Sequence, residues 1–128
     1  TSPETLIRTR GIILASGRFL GKGLSADRKQ IRESIFNLPV HQPVKRNEWH
    51  CYEFLDPAGH PVNRAGLVTD DRFRPLDRSG KIAHEKLFAA GSILAHQDWM
   101  RQKCGSGLAI ATAYTAVNAF SESNNKER

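Results

Sequence analysis

The stretch "KCGSGLAIATAYTAV", Lys103 to Val117, decides the fold. Gly105 and Gly107 make a G-x-G turn, and Ala109, Ala111, Ala113 and Ala116 follow it. The pattern predicts a helix from Gly107 to Phe120, narrow and apolar nearly all round, so that both of its sides are covered. Ile110 stands where the third glycine of a dinucleotide fingerprint belongs, and no apolar strand directly precedes the turn. The turn is therefore a helix entry rather than a displaced phosphate loop. Its N–H groups, expected free at Gly107, Leu108 and Ala109, and the positive end of the helix dipole suit an anion or a carbonyl oxygen.

Two apolar runs upstream also end in small residues and glycine. "LIRTRGIILA", Leu6 to Ala15, reads as a strand buried on both faces and closed by Gly17, Gly21 and Gly23. "EKLFAAGSIL", Glu85 to Leu94, reads as a strand leading to Gly91. Between them, Ser25 as N-cap, Asp27 in the first turn, and Ile31, Ile35 and Leu38 at helical spacing predict a short amphipathic helix ended by Pro39. The segment Val40 to Asn63 is broken by Pro43, Pro57 and Pro61; "HCYEFL", His50 to Leu55, is its one expected strand, and "DPAGHP" reads as a turn. "GLVTD", Gly66 to Asp70, is a further strand, "DRFRPLDRSGKI" a polar connector, and the tail "SESNNKER" is polar enough to be disordered. About three strands supply little to cover an apolar helix, which points to a fragment of a larger fold.

Size and charge narrow the function. The 128 residues suit one ordinary domain, and the opening Thr1-Ser2-Pro3, without an initiator Met, reads as a processed chain or a fragment. No uninterrupted apolar stretch approaches the ~20 residues of a membrane helix. The net charge of +6 and isoelectric point near 9.7 invite a nucleic-acid reading. The basic residues are spread along the chain and interleaved with acids, however, and no basic helix or aromatic RNA-binding motif occurs, so no nucleic-acid partner is expected. Cys51 and Cys104 are too few and too far apart for a disulfide scaffold or a zinc site, and are expected to be reduced thiols.

"GIILASGRF", "KLFAAGSIL" and "CGSGLAI" together resemble the flavoproteins with two dinucleotide-binding domains, in the branch of the fumarate reductase and succinate dehydrogenase flavoprotein subunits. Over "RTRGIILASGRFLGKGL", "NRAGLVTDDRFRPLD" and "KLFAAGSILAHQDWMRQKCGSGLAIATAYTA" the likeness within that branch is to the flavin subunits of anaerobic glycerol-3-phosphate dehydrogenases. The resemblance implies an α/β fold: the C-terminal part of an FAD/NAD(P)-binding, Rossmann-like flavoprotein with part of an inserted cap. Residues 1–24 would be a flavin-domain strand and glycine loop, 25–65 part of the cap, 66–120 the C-terminal part of the flavin domain, and 121–128 a disordered tail. It implies FMN as cofactor, with FAD as the alternative, held at Ala15, Ser16, Gly17, Gly91, Ser92, Gly105, Ser106, Gly107 and Leu108. Many relatives carry an acid where this chain has Ser92, whose hydroxyl can still bond a ribityl hydroxyl without charge.

The implied reaction is oxidation of sn-glycerol 3-phosphate to dihydroxyacetone phosphate. Electrons would pass through a catalytic FAD subunit and an iron–sulfur membrane-anchor subunit to quinone, in anaerobic respiration, on the cytoplasmic face of the membrane. Such chemistry needs a base and a cation for the phosphate. His96, just past Ser92, is the histidine expected nearest the flavin; His41, His50, His60 and His84 have no better claim. Arg64 is the expected phosphate ligand, with Arg74 a weaker candidate. Cys104, lacking a nearby thiol or base, is read as structural, and Trp49 and Trp99 as packing or interface residues. In a rival reading the chain is an assembly domain, in which "PVHQPVKRNEWHCYEFLDP" docks a partner subunit.

Overall fold

The computed structural model describes residues 4–126; the first three residues of the expected opening segment and the last two of the expected tail lie outside them. Among the described residues are six short strands: β1 (Ile12–Leu14), β2 (Leu24–Ala26), β3 (Ile31–Glu33), β4 (Val40–His41), β5 (Gly66–Leu67) and β6 (Leu87–Ala89). Helices α1 (Trp99–Gln102) and α2 (Gly105–Asn125) follow, and 3-10 turns occupy Arg46–Glu48, Pro61–Arg64 and Gly91–Ile93.

The centre is a parallel pair. β1 and β6 run side by side with Ile12 opposite Leu87 and Leu14 opposite Ala89, so the two glycine-ended runs finish at the same edge. β6 is buried along its whole length, and its side chains alternate between two cores. Leu87 and Ala89 join Leu14, Leu24, Ile31, Leu67 and Ile93 on one face, whereas Phe88 and Ala90 meet Ala116 and Ala119 of α2 on the other. Phe88 and Phe120 meet edge to face at 5.9 Å. Small residues on α2 let its axis lie close to the strand, as the alanine pattern requires.

Several expectations are corrected. The helix expected from Ser25 to Leu38 is an antiparallel hairpin of β2 and β3. Asp27 turns the chain there: its Oδ1 accepts from Lys29 N at 2.7 Å and Gln30 N at 2.8 Å, and those bonds hold its carboxyl below the usual carboxylate range. Ile31 and Glu33 are then buried at a period of two, while Ile35, which the helical reading buries, is exposed. The Glu33 carboxylate accepts from the N–H groups of Ile35, Phe36 and Leu38 at 2.7, 2.7 and 3.2 Å.

The strand expected at His50–Leu55 is absent, because this segment has no partner strand and Tyr52, Phe54 and Leu55 face solvent. The "DPAGHP" turn forms as read, with Gly59 N donating to Asp56 O at 2.9 Å and Gly59 at φ +73°.

The helix α2 begins two residues earlier than expected and runs on to Asn125, where a disordered tail was expected from Ser121. Two side chains from the strand layer hold its last turns: Arg72 bonds Ala119 O and Glu122, and Lys86 Nζ bonds Ser123 O at 3.2 Å. Nor is it covered all round; Thr112, Ala116 and Ala119 are buried, whereas Ile110, Tyr114 and Val117 are exposed.

The other strands are shorter than their apolar runs. β5 keeps two residues, pairing with β4 on one side while Leu67 bridges Leu94 in parallel on the other. A side chain at Gly66 would stand 2.6 Å from the Leu94 carbonyl carbon and 2.7 Å from Ala95 N, so backbone meets backbone there. The polar connector after Asp70 is a tight structure of its own, closed by the Arg74–Asp70 ion pair at 2.8 Å.

Candidate functional site

Parallel strands place a ligand crevice at their carboxyl ends. Here Ala15, Ser16 and Gly17 leave β1, and Ala90, Gly91 and Ser92 leave β6, with Ala90 N donating to Leu14 O at 3.0 Å. A cleft of about 420 Å³ opens at that edge, with Gly17 and Ser92 in its floor and Phe19, Leu20, Trp99 and Met100 in its walls. The walls are mostly apolar, with Arg18, Asn63 and Asp98 also in the lining, and the floor carries little side chain, which suits a flat ring system.

The floor is set by α2. Gly91 adopts φ +78°, a conformation that favours glycine, and its N–H donates to Thr112 Oγ1 at 2.8 Å. Thr112 in turn donates to Leu108 O at 2.7 Å. Nothing lies within 4 Å of where a Cβ at Gly91 or Gly107 would stand, so both glycines leave open space. The Ser92 hydroxyl lies 3.9 Å from the corresponding point at Gly17. Ser16 turns away instead: its Oγ is buried against Gly23 and has no hydrogen-bond partner.

A second cleft, of about 370 Å³, shares Trp99 and Met100 with the first and reaches Gly105, Ser106 and Gly107. The N–H groups of those three residues have no partner in the helix, whereas Leu108 N donates to Cys104 O at 2.8 Å. The free donors thus sit earlier than the sequence places them, because the helix starts earlier. Gly105 has a packing role as well, since a Cβ there would lie 3.3 Å from the Trp99 ring. Cys104 is the residue before α2, a half-buried free thiol that donates to Gln102 Oε1 at 3.8 Å, and Cys51 is also a free thiol.

His96 and Arg64 come together, as the sequence reading needs. They line one cleft of about 300 Å³ with Asp98, Arg101 and Gln102, and His96 N donates to Arg64 O at 2.9 Å. His96 has φ +67° and its ring lies 4.2 Å from that of His41. Burial, and then the neighbouring His96, lower the His41 pKa from its ordinary value. Arg18 steadies the turn that carries Arg64, donating to Asn63 O at 2.6 Å and Val62 O at 2.9 Å. Burial lowers its pKa, opposed by the charge of Asp98. Of the other candidates, His60 is engaged by Cys51 N at 3.0 Å and Phe54 O at 3.0 Å, and Arg74 is paired with Asp70 and Glu85. Trp49 is buried in the core with Arg46 over its ring at 4.7 Å.

The residues that sequence reasoning missed lie in "QDWMR", Gln97 to Arg101. Asp98 lines the clefts on both sides, is buried, caps α1 through Arg101 N at 3.3 Å, and leaves Oδ2 unpartnered. Its cap pattern was visible, as an Asp three residues before Arg101, but the burial was not.

The crevice, the open glycines and the free helix-start donors define a nucleotide-cofactor protein, and the sequence profile of the FAD binding domain matches residues 2–108. The chain belongs to that family, with its FAD-binding, Rossmann-like fold. It is 37% identical over 117 residues to the B-subunit of the probable anaerobic glycerol-3-phosphate dehydrogenase of Halobacterium salinarum, covering 90% of this chain and 26% of the relative. Similarity to the anaerobic glycerol-3-phosphate dehydrogenase B-subunit extends to Vibrio cholerae serotype O1, at 37% over 105 residues, 82% of this chain and 24% of the relative. In Aliivibrio fischeri it is 30% over 116 residues, 91% and 25%. The chain therefore spans about a quarter of the length of the curated relatives it matches. No solved structure matches it. The family's cofactor is FAD, whereas the resemblance in sequence implied FMN first; nothing in the match favours FMN.

Proposed function

We propose that this chain is the flavin-facing C-terminal part of a subunit that oxidises sn-glycerol 3-phosphate to dihydroxyacetone phosphate. The observation that carries the reading is the convergence of the β1 and β6 ends, Ser92 and the α2 start on adjoining clefts. In this reading residues 4–24 and 66–125 belong to the flavin domain, and 25–65 to part of an inserted cap. FAD is the cofactor, given the family.

A bound flavin would supply the hydride acceptor, and the protein the orientation and electrostatics. Gly17, Gly91 and Gly107 would let backbone approach the ring; Ser92 Oγ would donate to a ribityl hydroxyl. Ala15, Ser16 and Leu108 would shape the cradle through backbone. The unpaired N–H groups of Gly105, Ser106 and Gly107 would offer fixed donors to the negative charge that gathers on the reduced ring. His96, set by its bond to Arg64 O, would accept the substrate hydroxyl proton, and Arg64 would hold the phosphate. Electrons would leave through a catalytic FAD subunit and an iron–sulfur membrane-anchor subunit to quinone, at the cytoplasmic face of the membrane. In this reading partner subunits supply the attachment; among the described residues no helix is long and apolar enough to cross a membrane.

Anaerobic titration of the full-length protein with sn-glycerol 3-phosphate tests this: bleaching of the oxidised-flavin band is expected, with glycerol inert. Absence of bleaching in both the full-length protein and its complex would overturn it.

The exposure of Tyr52, Phe54 and Leu55 favours a second reading, in which the segment from Pro39 to Pro57 docks a partner subunit. Replacing those three by serine should then lower complex recovery without loss of flavin; unchanged recovery argues against docking there.

A further inference from the structure

We propose that Arg64 and Arg101 form a two-guanidinium seat for the phosphate of a small phosphate monoester, with Arg101 the ligand that completes it. Among the described residues Arg32, Arg72 and Arg74 are engaged by carboxylates, while Arg64 and Arg101 form no ion pair. Both lean on one loop: Arg64 Nη2 donates to Ala58 O at 3.4 Å, and Arg101 Nη1 stands 3.6 Å from the Cβ position of Gly59. Both line the cleft of about 300 Å³ that holds His96. Two guanidiniums lining one small cleft favour an anion there.

The carboxylate in that wall forms no ion pair with either arginine. Asp98 is 4% exposed, its Oδ1 is taken by Arg101 N, and its Oδ2 faces Gly59, 2.7 Å from the Cβ position there. It caps the backbone of Arg101, and the Arg64 fork uses only Nη2, on Ala58 O. A phosphate monoester brings a charge of roughly −1.5 to −2 at neutral pH and three acceptor oxygens. Planar guanidinium forks match that geometry in two-bond pairs. Gln102, in the same lining, adds a side-chain amide.

The seat deepens the proposed reaction and rests on it only for the identity of the monoester. The same chemistry occurs in the phosphate of a flavin nucleotide; the position beside His96, across Asp98 from the cleft over Gly17 and Ser92, assigns the seat to the substrate.

The probe is inorganic phosphate, titrated by calorimetry into the full-length, flavin-loaded protein. Saturable binding is expected. Arg64→Gln and Arg101→Gln should each weaken it roughly tenfold or more, the loss of a hydrogen-bonded charge, and the double variant should abolish it. Arg78→Gln, on the exposed 77–80 turn, should change nothing. Should Arg101→Gln fail to fold, Arg101→Lys provides the test, since it keeps the charge, loses the fork and should still bind more weakly. Unaltered affinity in either folded Arg101 variant overturns the seat. So does phosphate that binds only after flavin is removed, or that releases flavin as it binds, since the seat would then belong to the cofactor. Arginine-dependent binding in a protein that proves to carry no flavin would keep the seat and sink the flavin reading.

Discussion

Gly107 has open space where a side chain would stand, and this is what the flavin reading needs from it. Gly107→Val should weaken flavin retention roughly tenfold, because a branched side chain at a ligand face acts as overpacking, while leaving the fold intact. Fluorescence of released flavin measures it, and unchanged retention would move the ring elsewhere. His41 supplies a prediction in pH. Its folded pKa is lowered, so the unfolded chain binds the proton more readily, and stability falls as pH drops below the ordinary histidine value of roughly 6.5. His41→Gln should flatten the acid side of the stability curve between about pH 7 and pH 5; an unchanged slope in urea titrations would contradict the cause given. At this scale the sequence was informative where backbone decides: glycine after an apolar run marks a chain turn, and Gly91 makes one at φ +78° just past β6. Asp98 and Arg101 were not legible, since a buried carboxylate and a shared cleft exist only once the chain is folded.

The element that sequence misread is the β2–β3 hairpin. Ile31, Ile35 and Leu38 fit a helical stripe, yet Ile31 is buried in a strand beside Glu33, Leu38 is buried beyond it, and Ile35 is exposed. A charged residue in an inward position reads as solvent-facing in any periodicity count, yet Glu33 is buried because three backbone N–H groups satisfy its carboxylate. Glu33→Gln puts an amide donor against those donors and should cost about 1–3 kcal/mol in denaturant unfolding. A loss well below that would make the N–H contacts incidental. The helix α2 was legible from its alanines but not at its ends. Side chains of Arg72 and Lys86, distant in sequence, hold its last turns, and an N-terminal turn beginning at Gly105 depends on packing against Trp99.

For the whole molecule, β1 and β6 with their two glycine ends were visible as two similar runs far apart in sequence, whereas their parallel pairing has no local signal and emerges only in the fold. Ile110, Tyr114 and Val117 leave one face of α2 exposed, and β1 and β6 form a sheet of only two strands. Unpaired edges and apolar faces of this kind associate, so the isolated 128-residue chain should form oligomers in native mass spectrometry; a clean monomer would mean those faces are tolerated in water. In the proposed function the whole fold serves a flavin at the carboxyl ends of that pair. Visible absorbance of the gently purified full-length protein, followed by chromatography of the released cofactor, should show an oxidised-flavin spectrum and FAD. A colourless protein, alone and in its complex, would contradict it.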